Sequence, residues 1–257
     1  MLSIGPGIDP VQRLTLISRA VAEAPGRPDL VWLNVRLCTG VDGCSPEPLE
    51  AQLHAVDPDN GAAWFDSIGR AARRNDEAEV RKNLAAIASS TRFDTYWNTT
   101  VVHVTHALLR TKTMDSRTAF MTATGVAAAI VFPPYQPIMN ACKGEFLKDP
   151  DGLANCRRVA SVMSRGDSYL TELIGLAIAK RAWPEGSAEF MDAVNARRVA
   201  HYRMHIEGQI SLKQLWRSRY TVRRLQLMTE YQTEQEVVSA EISSAKLNPN
   251  PPSDWTE

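Results

Sequence analysis

The sequence predicts an all-α fold, an array of antiparallel helix hairpins. Three observations support this prediction: apolar residues recur at helical spacing, alternating strand patterns are scarce, and Pro- and Gly-rich turn signals separate the periodic segments. Hydrophobic residues make up 44% of the 257-residue chain, which is enough for a sizeable buried core.

The elements follow this pattern in order along the chain. One apolar stripe is visible in each of "VQRLTLISRAVAEA", "EVRKNLAAIASS" and "YLTELIGLAIAKRAW". Turn signals lie between such segments, at "PGRPD", "CSPEP", "DPDNG", "PPYQP", "DPDG" and "WPEGS". We therefore expect roughly eleven or twelve helices joined by short turns. The C-terminal "NPNPPSDWTE" is rich in Pro and predicts a loosely attached tail.

A tryptophan recurs at nearly constant spacing. Trp32, Trp64 and Trp97 lie 32 and 33 residues apart, and each follows a helix end and a turn. A period of this length is typical of helical repeats, in which each helix pair stacks on the next.

The unit around Trp64 resembles a tetratricopeptide repeat. It matches that family at the closing Pro and Asn, the aromatic residue of helix A, the turn between the helices and the large residue of helix B: Pro58, Asn60, Trp64, Asn75, Asp76 and Leu84. It departs at Ser67, where Leu is usual, at Gly69, one place late, and at Val80, where Ala is expected. The resemblance covers residues 10–95 and is closest over 53–90.

This resemblance implies tetratricopeptide-like hairpins over 1–112. The absence of a clear repeat afterwards predicts a less regular helical region over 113–247 packed on the first, and the Pro-rich composition predicts a flexible tail over 248–257. The resemblance also implies a concave face that binds a peptide or protein. Phe65 and Arg73 are the anchors expected on that face, because aromatic residues and Arg dominate interface hot spots.

Four cysteines form two sequence-local pairs, Cys38 with Cys44 and Cys142 with Cys156. Two glycines let "CTGVDGC" fold back, and "KDPDG" predicts a turn between the second pair. The even count favours disulfides and an oxidising compartment, although three connectivities are possible. The alternative is four buried reduced thiols in a cytosolic protein. No C-x2-C spacing suggests a zinc site.

The segments "LCTGVDGC", "VDPDNGAAW", "RFDTY" and "MSRGDSYLTELIGLAIAKR" resemble a group of uncharacterised exported proteins of Xanthomonas-like bacteria. This resemblance implies a periplasmic or lipid-anchored setting. The chain itself shows no secretory signal, so we expect either a cytosolic protein or a periplasmic one whose signal is not in this chain. The apolar run from Val126 to Phe132 is far shorter than the roughly 20 residues of a spanning helix.

The stretch "HAVDPDNGAAW" places Asp57, Asp59 and Asn60 close together, as a cation-binding loop would. An EF-hand starting at Asp57 needs a Glu at its twelfth position, where this chain has Ile68. We therefore expect a turn, in which Asp59 or Asn60 caps the helix that carries Trp64.

Two histidine pairs are candidate metal ligands. His103 and His106 are spaced i, i+3, and His201 and His205 are spaced i, i+4, so each pair shares one helix face. Glu207 could add an oxygen ligand to the second pair, which makes His201 and His205 the better candidates. The alternative is surface or half-buried histidines without metal. Nucleophile and phosphate-loop motifs are absent, so we expect neither catalysis nor a cofactor.

Charge is uneven along the chain, although Lys+Arg and Asp+Glu are 29 each. Residues 42–59 hold five acids and no base, whereas residues 197–224 hold eight bases and one acid, or +7. The second segment predicts a protein-binding surface formed by Trp216, Arg217, Arg219, Tyr220 and Arg223. A solvated face, partly neutralised by later glutamates, is the alternative. The zero net charge disfavours nucleic acid.

These patterns predict a non-catalytic protein-binding protein of the bacterial periplasm, for example an immunity-type inhibitor that masks a secreted antibacterial effector. The alternative is a metal-dependent hydrolase or metal-binding protein that uses His201 and His205. A third hypothesis is that the chain is itself an effector.

Overall fold

The computed structural model describes residues 9–39, 41–214 and 217–256. Within these residues the chain has fourteen α-helices and no β-strand, which confirms the all-α prediction. The helices are α1 (Pro10–Glu23), α2 (Pro28–Cys38), α3 (Glu47–Val56), α4 (Phe65–Arg73), α5 (Glu77–Ser89), α6 (Trp97–Arg110), α7 (Ser116–Val131), α8 (Gln136–Ala141), α9 (Glu145–Lys148), α10 (Pro150–Met163), α11 (Tyr169–Ala182), α12 (Ala188–Gln214), α13 (Ser218–Glu230) and α14 (Glu234–Ser244). A 3-10 helix, Gly61–Trp64, precedes α4.

Side-chain caps explain where several helices begin. A side-chain oxygen accepts a backbone N–H of the first turn at Asp76, Asp115, Asp149, Ser168 and Thr233. At Thr233 the bond is reciprocal, since Glu236 also accepts the backbone N–H of Thr233, which completes a capping box. Each cap satisfies a backbone donor that the helix itself cannot, and so fixes the helix start.

Neighbouring helices pack in pairs, as the turn signals predict: α1 with α2, α4 with α5, α6 with α7, α10 with α11 and α13 with α14. Other contacts join helices that are far apart in the chain. Helix α5 packs on α10, α2 packs on α7, and α13 packs on both α6 and α7. In a linear repeat array each unit contacts only its neighbours. The tetratricopeptide-like arrangement of the first half stays a prediction.

The buried apolar side chains form separate clusters that cross the boundary predicted after residue 112. The first core packs Trp32, Phe65 and Phe93 with Tyr135 and Met163. The second joins α1, α6 and α7 to α13 and α14, and the third lies where α11 meets α12, α13 and α14. Both halves of the chain therefore contribute to the first core.

The C-terminal segment 248–256 lies against α12. Arg198 donates hydrogen bonds to the carbonyl oxygens of Ser253, at 3.2 Å, and Trp255, at 3.2 Å. The rings of Tyr202 and Trp255 meet edge to face, with centroids 5.4 Å apart. The sequence predicts a loosely attached tail, whereas the structure shows these specific contacts.

Disulfide bonds join Cys38 with Cys44 and Cys142 with Cys156, each with Cα atoms 5.5 Å apart. These are the two sequence-local pairs predicted from the sequence. The first closes the loop after α2, and the second ties the end of α8 to α10. No helix of the described segments has the length and apolar character needed to cross a bilayer.

Candidate functional site

Four exposed basic residues lie where α12 ends and α13 begins. Lys213, Arg217, Arg219 and Arg223 are exposed, and none of them has an ion pair among residues 9–39, 41–214 and 217–256. We call these four residues the basic corner. Three of them, Arg217, Arg219 and Arg223, are predicted partner-binding residues. The structure leaves them free to meet an anionic surface.

Two apolar side chains lie within the same stretch as the basic corner. Leu212 is 75% exposed and Val222 is 47% exposed. Large aliphatic side chains at this exposure are suited to contact with another molecule, particularly when polar residues surround them. Trp216, which is also predicted to bind a partner, lies outside the described residues.

Arg224, the last base of the segment, is directed into the protein instead. Its guanidinium donates to Glu207 at 2.6 Å and to Glu241 at 2.7 Å, and these contacts join α12, α13 and α14. Burial would lower the pKa of Arg224, but the carboxylates of Glu241 and Glu207 outweigh burial and raise that pKa above its ordinary value. The ion pairs of Arg224 therefore connect the three helices next to the basic corner.

The sequence predicts that Tyr220 contacts a partner, whereas the structure buries this side chain. Its side chain is 8% exposed within the third core, where its hydroxyl lies 2.8 Å from the hydroxyl of Ser211 and accepts from Arg224 at 3.1 Å. Helix geometry explains the difference, because Tyr220 shares one face of α13 with the inward-directed Arg224, four residues later. Arg219 and Arg223 share the neighbouring, exposed face.

Phe65 was predicted to be an exposed anchor, and the structure buries it at 1% exposure. Its ring meets Phe93 and Tyr135 edge to face, with centroid distances of 5.8 Å and 5.2 Å. Tyr135 directly precedes α8, which covers α4, so no open concave face remains at this position. Arg73 is exposed at the end of α4, and its role in binding stays a prediction.

The acidic segment is largely used for internal pairing. Arg70 of α4 reaches two acids of α3: it lies 3.3 Å from Glu47 and makes a two-pronged contact with Glu50. Arg92 pairs through one guanidinium nitrogen with Asp57 and through another with Asp94. Of the five acids, Asp42 and Asp59 are exposed and form no ion pair within the described residues, compared with four such bases in the basic corner.

Among the candidate metal ligands, His103, His205 and Glu207 make other contacts. Nε2 of His205 lies 2.9 Å from the amide nitrogen of Gln209, and Glu207 accepts from Ser211 and Arg224 rather than facing an open site. Nε2 of His103 lies 3.1 Å from a guanidinium nitrogen of Arg27. Among the residues that the structure describes, no group of three or more His, Cys, Asp or Glu side chains is arranged to hold a metal ion.

The stretch "HAVDPDNGAAW" forms the expected turn. The side-chain oxygen of Asn60 accepts the N–H of Ala62 at 3.1 Å and so caps the 3-10 helix. The same amide reaches across to Asp94, accepting its N–H at 2.9 Å and donating to its carbonyl oxygen at 2.8 Å. The turn is thereby locked to the loop that contains "RFDTYW".

No family model, curated protein or solved structure matches this chain. The evidence for its function therefore comes from its own residues. One buried polar residue was not predicted from the sequence: Asp167 in "SRGDSY", whose burial depends on distant segments. Its carboxyl group accepts hydrogen bonds from the Thr95 hydroxyl at 2.9 Å and 3.0 Å and from the Trp97 N–H at 3.0 Å.

Asp167 is 4% exposed, and burial, followed by the nearby charge of Asp94, raises its pKa well above the ordinary value. A polar cavity of 470 Å³ opens beside this pair, lined also by Arg92, Arg165 and Thr233. The carboxyl oxygens of Asp167 bind Thr95 and the start of α6, so we assign the residue to the fold. The Ser168 cap that follows it is the only local sequence signal for this junction.

Proposed function

We propose that this chain is a non-catalytic, protein-binding protein of the bacterial periplasm and that its basic corner contacts an acidic partner. The single observation behind the proposal is the set of four exposed bases without ion pairs in the described chain, in the same stretch of sequence as the exposed side chains of Leu212 and Val222. In a concrete form of the proposal, the chain is an immunity-type inhibitor that masks a secreted antibacterial effector. Its helical framework is tetratricopeptide-like in the first half.

A protein partner agrees better with the charges than nucleic acid or lipid does. The chain has 29 bases and 29 acids, whereas nucleic-acid-binding domains are usually basic overall. Exposed aliphatic groups beside cations suit an interface with a desolvated centre and a charged rim. The four cations would speed encounter with an acidic surface and favour it over neutral ones.

Both disulfides support the periplasmic setting. Disulfide bonds persist in oxidising compartments and are rare in the reducing cytosol. The resemblance to exported proteins points the same way. The buried Cys142–Cys156 bond crosslinks helices of the first core, so we expect the folded state to rely on that setting.

The test uses the full oxidised chain as bait, against the protein encoded by the neighbouring gene and against periplasmic extract. The triple variant Arg217→Glu, Arg219→Glu, Arg223→Glu reverses the charge of the corner. We expect a bound acidic partner for the unmodified chain, at least about tenfold weaker binding for the triple variant, and weaker binding as salt is raised.

A matched control reverses three exposed bases elsewhere, with Arg74→Glu, Lys112→Glu and Arg158→Glu, and should bind as the unmodified chain does. Equal loss in both triple variants would show a general charge effect and contradict the assignment of the surface. Binding of anionic vesicles or of DNA by the corner, with no protein partner, would replace the proposal with a lipid or nucleic-acid function.

A further inference from the structure

A cavity of 280 Å³ lies where α1, α2 and α6 meet. Its deeper wall is apolar and includes Leu33, which is 7% exposed, and Val104, which is 5% exposed. Leu30 adds a third aliphatic side chain. Ligand sites are usually clefts of about 300–1,000 Å³ with apolar walls and a few convergent polar groups. At 280 Å³ this cavity is slightly smaller than that range and suits a compact molecule.

One polar group in this apolar wall lacks a partner. Thr100 is 3% exposed, and its hydroxyl has no hydrogen-bond partner among the described residues. In a helix, a threonine hydroxyl can donate to the carbonyl oxygen four residues earlier, as Thr105 does to Val101 at 2.7 Å. Thr100 does not do so. A buried hydroxyl left unpaired costs stability. The hydroxyl oxygen is closed off from solvent in this structure, so the Thr100 side chain must turn towards the cavity to recover that cost on a bound oxygen atom.

The outer wall of the cavity carries an oriented guanidinium. Arg27 donates from Nε to Asp29 at 2.8 Å and from Nη2 to the other oxygen of Asp29 at 2.6 Å. Nη2 of Arg27 also lies 3.1 Å from Nε2 of His103. Because a guanidinium only donates, the Nε2 atom of His103 is the acceptor, and the ring is neutral in this arrangement. Arg27 is therefore fixed in place, with Nη1 still available.

The net charge of the site favours a ligand with one negative charge. Arg27 contributes +1 and Asp29 contributes −1, while Arg110, which is exposed and also lines the cavity, contributes a further +1. The formal charge of these three groups is therefore +1, with His103 neutral. A ligand with a single negative charge neutralises this site, whereas a dianion would leave an excess negative charge.

We propose that this cavity binds a small amphipathic monocarboxylate. The carboxylate lies at the outer wall, where Arg27 and Arg110 donate to it, and the apolar body packs on Leu30, Leu33 and Val104. On binding, the Thr100 side chain turns its hydroxyl towards the cavity and donates to a second oxygen at the far end of the ligand. The site lies on helices α1, α2 and α6, so it is separate from the partner surface on α12 and α13.

The test is calorimetric titration of the full-length chain at neutral pH and low salt. 4-Hydroxybenzoate is the probe, because it carries one carboxylate, an aromatic body and an oxygen at the opposite end. Benzoate lacks that oxygen, 4-hydroxybenzamide lacks the charge and phenyl phosphate carries a second charge. We expect saturable binding of 4-hydroxybenzoate, weaker binding of benzoate and phenyl phosphate, and none of the amide.

Two variants test the named contacts. Arg110→Gln should weaken 4-hydroxybenzoate about tenfold, the effect of one charge-assisted hydrogen bond. Thr100→Val keeps the side-chain shape and should remove the preference for 4-hydroxybenzoate over benzoate. It should not lower thermal stability, since it deletes an unpaired hydroxyl. Arg74→Gln, a base outside the cavity, should bind as the unmodified chain does.

The proposal is overturned by any of three results. One is the absence of saturable binding of both carboxylates at millimolar concentration. Another is equal binding of the charged probe and the neutral amide. The third is a Thr100→Val variant that folds normally and keeps the full preference for 4-hydroxybenzoate over benzoate.

Discussion

Asp167 shows how a single buried carboxyl group joins distant parts of this chain. Its side chain accepts from Thr95 and from the start of α6, while its backbone N–H donates to Phe93 at 3.1 Å and its carbonyl oxygen accepts from Glu234 at 2.8 Å. Burial, and then the charge of Asp94, raises the pKa of Asp167 in the folded protein. The stabilising contribution of the neutral carboxyl group is therefore complete below the ordinary carboxyl pKa. It is lost as pH rises through the raised folded value.

Replacing Asp167 by Asn should change how stability depends on pH. The amide oxygen can still accept from Thr95 or Trp97 but cannot ionise, so the penalty for ionising a buried acid disappears. We expect the free energy of unfolding of Asp167→Asn, relative to that of the unmodified chain, to increase from pH 4 towards pH 8. Urea titrations at several pH values measure this difference.

Two further variants separate the hydrogen bonds from the charge. Asp167→Ala should cost about 2–4 kcal/mol, because it leaves two buried donors unpaired. Asp59→Asn removes an exposed carboxyl group of the neighbouring turn and should leave the pH dependence of the unmodified chain in place. A pH-independent difference between Asp167→Asn and the unmodified chain would contradict the raised pKa.

Local signals explain which helices could be predicted from the sequence and which features could not. Caps such as Asn60 and Asp76 act within their own turn, so their residue types predict helix starts directly. The exposure of Phe65 depends on α8, about seventy residues later, and the repeat pattern contains no information on that contact. The cavity lined by Thr100 likewise forms only when α2 and α6 meet.

Among the elements, α12 depends on the C-terminal segment more than composition suggests. It has 27 residues, and its polar and apolar positions form no continuous stripe. The segment 248–256 covers part of it through the ring of Trp255 on Tyr202 and through carbonyl oxygens that accept from Arg198 and Arg203. Pro-rich backbone suits this role, because its fixed φ limits the conformational entropy lost on docking.

Removing residues 248–257 should therefore destabilise the protein, whereas a loosely attached tail would not matter. We expect a loss of about 1–2 kcal/mol in the free energy of unfolding, from one aromatic pair and the hydrogen bonds of Arg198. Trp255→Ala should reproduce much of it. Asp254→Ala, an exposed neighbour, should be neutral. Hydrogen exchange should also quicken in the half of α12 near Tyr202, and unchanged exchange there would count against a docked segment.

At the scale of the whole molecule, the first core makes the two halves of the chain dependent on each other. Phe65 and Phe93 come from the first half, whereas Tyr135 and Met163 come from the second. A buried charge pair adds to this dependence. Arg36 on α2 lies 2.6 Å from Asp66 on α4 and donates to the carbonyl oxygen of Ile130 at the end of α7, at 3.1 Å. A buried arginine that lost one of these partners would be costly.

The region 1–112, which the repeat resemblance predicts to form hairpins, should consequently not fold on its own. Alone, it would expose the faces of α4 and α5 that α8 and α10 cover, and Arg36 would lose its partner carbonyl on α7. We expect weak helical circular dichroism and no cooperative melting for fragment 1–112. The full chain should unfold in one transition that circular dichroism and tryptophan fluorescence report identically. Fragment 1–182, which contains every member of the first core, should recover cooperative melting. A fragment 1–112 that melts as sharply as the full chain would instead establish the first half as an independent repeat domain.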